Sequence, residues 1–182
     1  MVILENSKIQ KLTEKQRLRI QTRHRVSIEK YGYQPQALYW SDREIQEIRF
    51  KHLLKILPSA NQLNNQKWSI IDVGCGFADL YAYLNQYQYF PKYTGIDISE
   101  DMIFAAKAMH PTLCLMQGEL SDFNFSLAQF DYVFLSGALN EVVETEVEGL
   151  ADQQGHYAKS VIRAMYAICN KGVAFNLLDA RN

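Results

Sequence analysis

The run Ile70-Ile71-Asp72-Val73-Gly74-Cys75-Gly76-Phe77-Ala78-Asp79-Leu80 joins a short apolar strand to a glycine turn and then to a helix start. Gly74 and Gly76 remove side chains where a backbone must pass close to a ligand. The helix that follows presents unpaired amide groups and a positive dipole end. The stretch reads as a nucleotide-binding turn, and the residues around it decide which nucleotide.

From residue 68 onward, apolar stretches of strand length alternate with helical patterns. Strands are expected at 69–73, 93–98, 113–117, 131–136 and 173–178, with helices near 78–89, 100–109 and 156–170. Helices between strands imply right-handed crossovers and a parallel sheet covered on both faces. The α/β part spans 68–178, inside a single domain of residues 1–182, and residues 1–57 supply N-terminal helices and an aromatic connector. No internal repeat or low-complexity tract interrupts it.

With 182 residues, 48% hydrophobic and 21% charged, the chain suits one soluble domain with a well-developed core. Its apolar runs are too short to cross a bilayer, and Met1-Val2-Ile3-Leu4-Glu5-Asn6 lacks a basic lead and a full signal core, so a cytoplasmic location is expected. Cys75, Cys114 and Cys169 are widely spaced, which points to reduced thiols rather than disulfides or a zinc clip. No metal site is expected.

The net charge of −1 hides an uneven distribution: residues 1–30 carry eight Lys or Arg against three Glu. A nucleic-acid arm would interleave aromatic rings with those charges, and none lies between residues 5 and 30. The segment is expected to be an amphipathic helix that turns Leu12, Ile20 and Ile28 to the protein and its charges to solvent.

The connector Tyr31-Gly32-Tyr33-Gln34-Pro35-Gln36-Ala37-Leu38-Tyr39-Trp40 leads to a helix start at which Ser41 and Glu44 form a capping box. Trp40 and Ile45 have the spacing of a hydrophobic staple, a structural role that precedes the alternative of a ligand lid. The helix, about 42–57, carries Ile45, Ile48, His52, Leu53 and Ile56 on one stripe, with Arg49 inside it. A guanidinium there needs a carboxylate: Asp72 or Asp79 within the chain, or the carboxylate of a bound ligand.

A dinucleotide turn reads GxGxxG, and its third glycine would fall at Asp79, with small Ala78 just before it. An acid at Asp72 would repel a pyrophosphate and attract an ammonium, so the occupant is expected to be cationic. Asp97 ends the strand Tyr93-Thr94-Gly95-Ile96-Asp97, 21 positions after Gly76. One carboxylate there can accept from both hydroxyls of a ribose, a stronger explanation than a plain helix-entry acid. Ser99 caps the next helix, with Glu100 and Asp101 in its first turn.

Together these residues resemble the class I S-adenosylmethionine-dependent methyltransferases. Asp72-Val73-Gly74-Cys75-Gly76, Gly95-Ile96-Asp97, Gln117-Gly118-Glu119-Leu120 and Phe130-Asp131-Tyr132-Val133-Phe134-Leu135-Ser136 carry the likeness in order. The Ala37-Leu38-Tyr39-Trp40 connector, Arg49-Phe50 and Ser136-Gly137-Ala138-Leu139-Asn140 narrow it to a bacterial group of small enzymes. The resemblance implies a Rossmann-like doubly wound parallel sheet with strand order 3-2-1-4-5. It implies that Gly74, Cys75 and Gly76 pass under the methionine part of S-adenosylmethionine, that Asp72 holds its amine, and that Asp97 binds the ribose. Ile98 and Met102 would flank the adenine, and Glu119 and Leu120 would lie at the adenine amine. Ser136 and Gly137, at the end of the fourth strand, would face the same pocket, as would Arg49 and Trp40. S-adenosylhomocysteine would be the product.

Methyl transfer from a sulfonium needs a nucleophile held close to the methyl with water excluded, and a dedicated base is optional. His156 and Tyr157 are candidates for one, against the plainer roles of a capping turn and a core aromatic. Asn140 is followed by Glu141-Val142-Val143, not by the Pro-Pro-Tyr of amino-group methyltransferases, so DNA adenine is not an expected acceptor; a small molecule is. Residues 141–152 would form an acidic lid or a solvated surface helix. The resemblance also implies an antiparallel hairpin after strand five, which this sequence does not contain. Either a second copy or a partner chain would then meet an uncovered strand-five edge, or the sequence is a truncated form. Two rival expectations are a cofactor-binding pseudoenzyme or partner subunit, and, behind it, a nicotinamide-linked oxidoreductase.

Overall fold

The computed structural model describes residues 10–140 and 155–177. Helix α1 (Glu14–Tyr31) begins at a true capping box, in which the Thr13 side chain accepts from the Gln16 amide and the Gln16 side chain returns to Thr13. A single 3₁₀ turn (Pro35–Leu38) carries the connector into α2 (Arg43–Leu53). After a 3₁₀ turn at Leu54–Ile56 and the short α3 (Ala60–Asn64) come β1 (Ser69–Val73), α4 (Asp79–Gln86), β2 (Lys92–Asp97), α5 (Glu100–Met109) and β3 (Cys114–Gln117). The described chain ends with β4 (Phe130–Ser136), α6 (His156–Ile168) and β5 (Cys169–Asn176).

The five strands are parallel and lie in the order β3-β2-β1-β4-β5. The sheet reverses its winding between β1 and β4, so the ends of β1 and β4 open one crevice. Within β1 and β4 the pleat sends alternate residues to opposite faces. Ile71, Val73, Val133 and Leu135 pack under α6 with Val161 and Met165. Ile70, Tyr132 and Phe134 pack on the other face with Phe50 and Leu53 of α2, Leu80 and Leu84 of α4, and Ile103 of α5. Each such fully buried side chain contributes about 1.5–3 kcal/mol relative to exposure, which is why these strands read as nearly continuous apolar runs.

Four local expectations are corrected. The cap of α2 is Asp42, whose carboxylate accepts from the Ile45 amide at 2.8 Å, and Ser41 instead donates to Asp42 at 3.0 Å. That one-residue shift removes the staple spacing, and Ile45 is exposed while Trp40 turns to the cleft. The buried face of α2 is Gln46, Phe50 and Leu53, not the Ile45/Ile48/Ile56 stripe, because Gln46 finds a polar partner in the interior. The helix also stops at Leu53, and β5 starts at Cys169, ahead of the expected 173, because Cys169 already pairs with Phe130 of β4.

Among the described residues β5 pairs only with β4, so it forms one edge of the sheet. Its two faces are partly covered: Val173 and Phe175 lie on the α6 side, and Ala174 and Gly172 on the side of α2 and the 3₁₀ turn at Ile56. No described helix is long and apolar enough to cross a membrane. The acidic segment 141–152, the strand-five residue Leu178 and the residues after it lie outside the described residues.

Candidate functional site

The glycine turn is tied to the second strand by its own amides. The N–H groups of Gly74 and Cys75 both donate to the Ile96 carbonyl, at 2.8 and 2.9 Å, and the Gly76 N–H donates to Asp97 Oδ2 at 2.9 Å. Gly74 and Gly76 have φ of +74° and +52°, the left-handed region where glycine carries no penalty. A Cβ on Gly74 would lie 2.3 Å from that of Ala138, and one on Gly76 2.7 Å from Leu38 Cδ2. The missing side chains therefore make room for the protein's own neighbours. A phosphate cradle needs such amides aimed outward, and these three are already used.

Two carboxylates remain at the crevice. Asp97, 6% exposed, accepts from Gly76 through one oxygen and from the Ser99 amide through the other at 2.9 Å. A carboxylate has about four acceptor sites, so both oxygens retain capacity toward a diol. Asp72, 2% exposed, accepts from the Tyr93 hydroxyl at 2.7 Å. Burial pushes its carboxyl up to about 7, with the Tyr93 hydrogen bond opposing the rise and the charges of Asp97 and Asp79 adding to it. Burial likewise raises the Tyr93 hydroxyl and the Cys75 thiol well above their ordinary ranges. A buried acid balanced near neutrality gains most from a ligand that brings a positive charge.

A cleft of about 460 Å³ lies over these groups, in the size range of small-molecule sites. Gly74, Cys75, Gly76, Asp72, Asp97 and Ile98 line it from β1 and β2, and Ser136 and Gly137 from β4. Trp40, Arg49, Glu119, Leu120 and Tyr157 complete the part of the lining that the sequence singled out.

Two expected residues are elsewhere. Met102 is fully buried beside Ala37, Phe77 and Ala105, because the side of α5 it occupies faces the connector and not the crevice. His156 is exposed at the first turn of α6 and does not line the cleft.

Tyr157 points inward, but its hydroxyl donates to Glu119 Oε2 at 2.6 Å. Burial first, and that acceptor second, raise its pKa, so it is no ready base. Glu119, 6% exposed, also accepts from the Leu12 amide at 3.1 Å and from the Arg17 guanidinium through Oε1.

Arg49 does not form the internal ion pair that Asp72 or Asp79 offered in the sequence. Asp79 is taken by Arg43 at 2.8 Å and by the Gln46 amide at 2.9 Å, pinning α4 to α2. The Arg49 guanidinium lies 5.2 Å from the Trp40 ring centroid, and its buried Nε has no hydrogen-bond partner among the described residues. It lines the cleft as a cation that pairs with no carboxylate among the described residues.

Helix α1 closes one end of the cleft. Arg17 pairs with Asp122 at 2.7 Å, Arg25 with Asp101 at 3.1 Å, and Gln21 donates to the Ile98 carbonyl at 3.0 Å. The Arg17 hydrogen bond holds the Asp122 carboxyl below its usual range. The expected solvated charge face is thus partly a clamp on the loops after β2 and β3, while Ile20 is buried as expected. The clamp has a faint signal in the sequence, since the basic excess of residues 1–30 answers Asp101, Glu119 and Asp122. Tyr93, Gln46, His24 and Tyr39 were not singled out for the site, and nothing in their spacing marks them.

The family described as a methyltransferase domain matches residues 70–159, which hold the turn, both carboxylates and the end of β4. Residues 70–159 belong to that methyltransferase domain family. Among solved structures, an S-adenosylmethionine-dependent methyltransferase from Mesorhizobium loti is 22% identical with a TM-score of 0.48, covering 69% of this chain and 51% of its own. DesVI from Streptomyces venezuelae is 18% identical with a TM-score of 0.48, covering 64% and 46%. The mycolic acid cyclopropane synthase CmaA1, solved with SAH and CTAB, is 12% identical with a TM-score of 0.52, covering 73% and 42%. This chain spans about half the length of the solved structures it matches or less. No curated protein matches it by sequence. The methyltransferase domain thus rests on the strand order 3-2-1-4-5 and on the match over its first four strands.

Proposed function

We propose that the cleft binds S-adenosylmethionine and that the chain, as a single cytoplasmic domain, catalyses methyl transfer to a small-molecule acceptor, releasing S-adenosylhomocysteine. The observation that carries this reading is the use of the Gly74, Cys75 and Gly76 amides by β2, beside two carboxylates aimed at the same crevice. That combination suits an adenosine with an ammonium group and no phosphate, and it disfavours a dinucleotide.

The bound cofactor would supply a methyl group activated on a positively charged sulfur. Asp97 would accept from the ribose hydroxyls, Asp72 would hold the methionine ammonium, and Arg49 would take the methionine carboxylate. Ile98 and Leu120 would flank the adenine, with Glu119 held at its edge by Arg17 and Tyr157. Gly137, against Trp40, sets the height of the cleft above β4, since a Cβ there would meet the indole at 3.0 Å. The chain's contribution to the reaction is orientation and exclusion of water rather than proton removal. The engagement of Tyr157 by Glu119 and the outward position of His156 favour that division, and they also support the second reading, a cofactor-binding partner subunit. A second chain along the β5 edge belongs to both readings.

Asp97 provides the test. Asp97→Ala is expected to weaken S-adenosylhomocysteine binding by about 1.5–3 kcal/mol, the usual loss of hydrogen bonds to a charged group. Unchanged affinity by calorimetry would remove Asp97 from the ribose role.

A further inference from the structure

A second hollow, of about 760 Å³, lies between α1 and the connector. Val26, Ser27 and Tyr31 of α1 and Gln36, Tyr39 and Trp40 of the connector line it. Tyr39 and Trp40 also line the cofactor cleft, so the two spaces meet at these rings. The cofactor reading places its ligand along the sheet wall, between Asp97 and Asp72. An acceptor then approaches from the opposite side, where α1 and the connector stand. Two polar atoms on that side are buried with no hydrogen-bond partner among the described residues, Nδ1 of His24 and Oγ of Ser27. The two residues are three apart on α1 and share one face of the helix. His24 lines the cleft, and Ser27, 5% exposed, lines the hollow. A helix serine can satisfy its hydroxyl on the carbonyl one turn back, and this one does not. Unpaired buried polar groups are costly, and two of them beside one opening call for a ligand that completes both. Tyr39 stands at that opening, half-exposed, with its ring centroid 6.1 Å from that of His24. Its φ of +63° is left-handed, a strained conformation for a bulky residue and one that recurs at ligand clamps.

We propose that this hollow is the docking site of the methyl acceptor and that it takes an uncharged planar aromatic molecule carrying hydroxyl groups. The ring system stacks on Tyr39, hydrogen bonds to Ser27 and His24 fix its orientation, and one end passes Trp40 into the cleft. The inference rests on the cofactor reading above, which assigns Asp72, Asp97 and Arg49 to the other ligand. A hydroxyl and an imidazole nitrogen recognise hydrogen-bonding groups and demand no ion pair. The described lining of the hollow holds no carboxylate to receive an ammonium. Its cations are not assigned to the acceptor: Arg23 and Lys30 each lie 4.7 Å from a ring centroid, of Tyr39 and Tyr31 respectively.

The test is binding to the full chain saturated with S-adenosylhomocysteine, followed by ligand-observed NMR. The probes are 2,7-dihydroxynaphthalene, 2-naphthol, naphthalene-2-carboxylate and 2-(aminomethyl)naphthalene. The diol is expected to bind best, 2-naphthol more weakly, and the two charged probes weakest. Ser27→Ala should weaken the diol by about fivefold, the usual loss for one neutral hydrogen bond, and leave S-adenosylhomocysteine affinity within about twofold. Because the Ser27 hydroxyl has no partner to lose, the same variant should keep or raise the melting temperature of the ligand-free chain. Tyr39→Gly removes the ring at a φ that glycine adopts freely, so its expected loss of diol binding is separable from misfolding. Diol binding indifferent to both variants, a charged probe equal to the diol, or a lowered melting temperature in Ser27→Ala would each overturn the acceptor assignment alone. So would normal S-adenosylhomocysteine binding with no response to any probe. Failure of S-adenosylhomocysteine itself to bind would overturn the cofactor reading, and this assignment with it.

Discussion

The two walls of the cleft hold their functional groups by different means. On the sheet wall, Asp72 lies one residue before the end of a buried strand and Asp97 is fixed by the amides of Gly76 and Ser99, so its geometry follows from the strand pairing itself. On the other wall, Arg23, His24, Tyr39, Trp40 and Arg49 sit on helices and a connector that reach the sheet through side-chain ion pairs and hydrogen bonds. The contrast is between a seat that the backbone itself makes and a cover fixed by side chains, through these polar contacts and the packing of Ile20, Phe50 and Leu53 on the sheet. A rigid seat suits a cofactor common to a family, and a cover of variable side chains suits the specificity of one member.

The strongest blow to the seat is at Gly74. Gly74→Ala must place its Cβ 2.3 Å from that of Ala138 and hold alanine at a φ of +74°. Loss of about 2 kcal/mol or more of stability is expected from overpacking and strain together, and thermal denaturation would show it. A wild-type melting temperature would mean that the turn is not fixed by its neighbours.

Asp72 sharpens the comparison through pH. Its carboxyl is raised to about 7 by burial, against about 4 in an unfolded chain, so the folded state binds the extra proton between those values. Stability of the ligand-free protein is therefore expected to fall as pH rises from about 4 to about 7 through this group and to level off above it. Asp72→Asn should flatten that part of the profile in urea titrations across pH. A ligand ammonium favours the ionised form, so cofactor binding below neutrality should release a proton, seen as a dependence of calorimetric heat on buffer. An identical stability profile in the variant would show that another group titrates.

The smallest effect belongs to the cover. Arg25 and Asp101 pair at 3.1 Å with both side chains at least a third exposed, and such pairs are worth less than about 1 kcal/mol. Arg25→Ala should shift the urea midpoint only slightly, and less so in high salt. A shift as large as that of Gly74→Ala would mean that α1 is part of the seat.

What could be read from the sequence follows the same division. The sheet was legible because a covered parallel sheet leaves apolar runs and glycine punctuation, and the strand order came with the resemblance carried by Asp72, the turn and Asp97. The cover was not, because its contacts depend on the rotation of one helix against another. In α2 a stripe of isoleucines looked like the buried face, yet Gln46 is the buried residue, since it can bond Asp79 inside. Asp79 itself was read as evidence on the cofactor and proves to be an anchor for α2. Glu119 was legible by position, but its bonds to Arg17 and Tyr157 span more than a hundred and nearly forty residues, respectively. No local pattern encodes such pairings.

The central claim, that the seat takes a cationic adenosine and not a dinucleotide, is tested most directly by calorimetric titration of the wild-type chain with S-adenosylmethionine, S-adenosylhomocysteine and NAD. Saturable one-to-one binding of both sulfur ligands, with no heat from NAD, is the predicted result. Saturable NAD binding without a response to either sulfur ligand would contradict it.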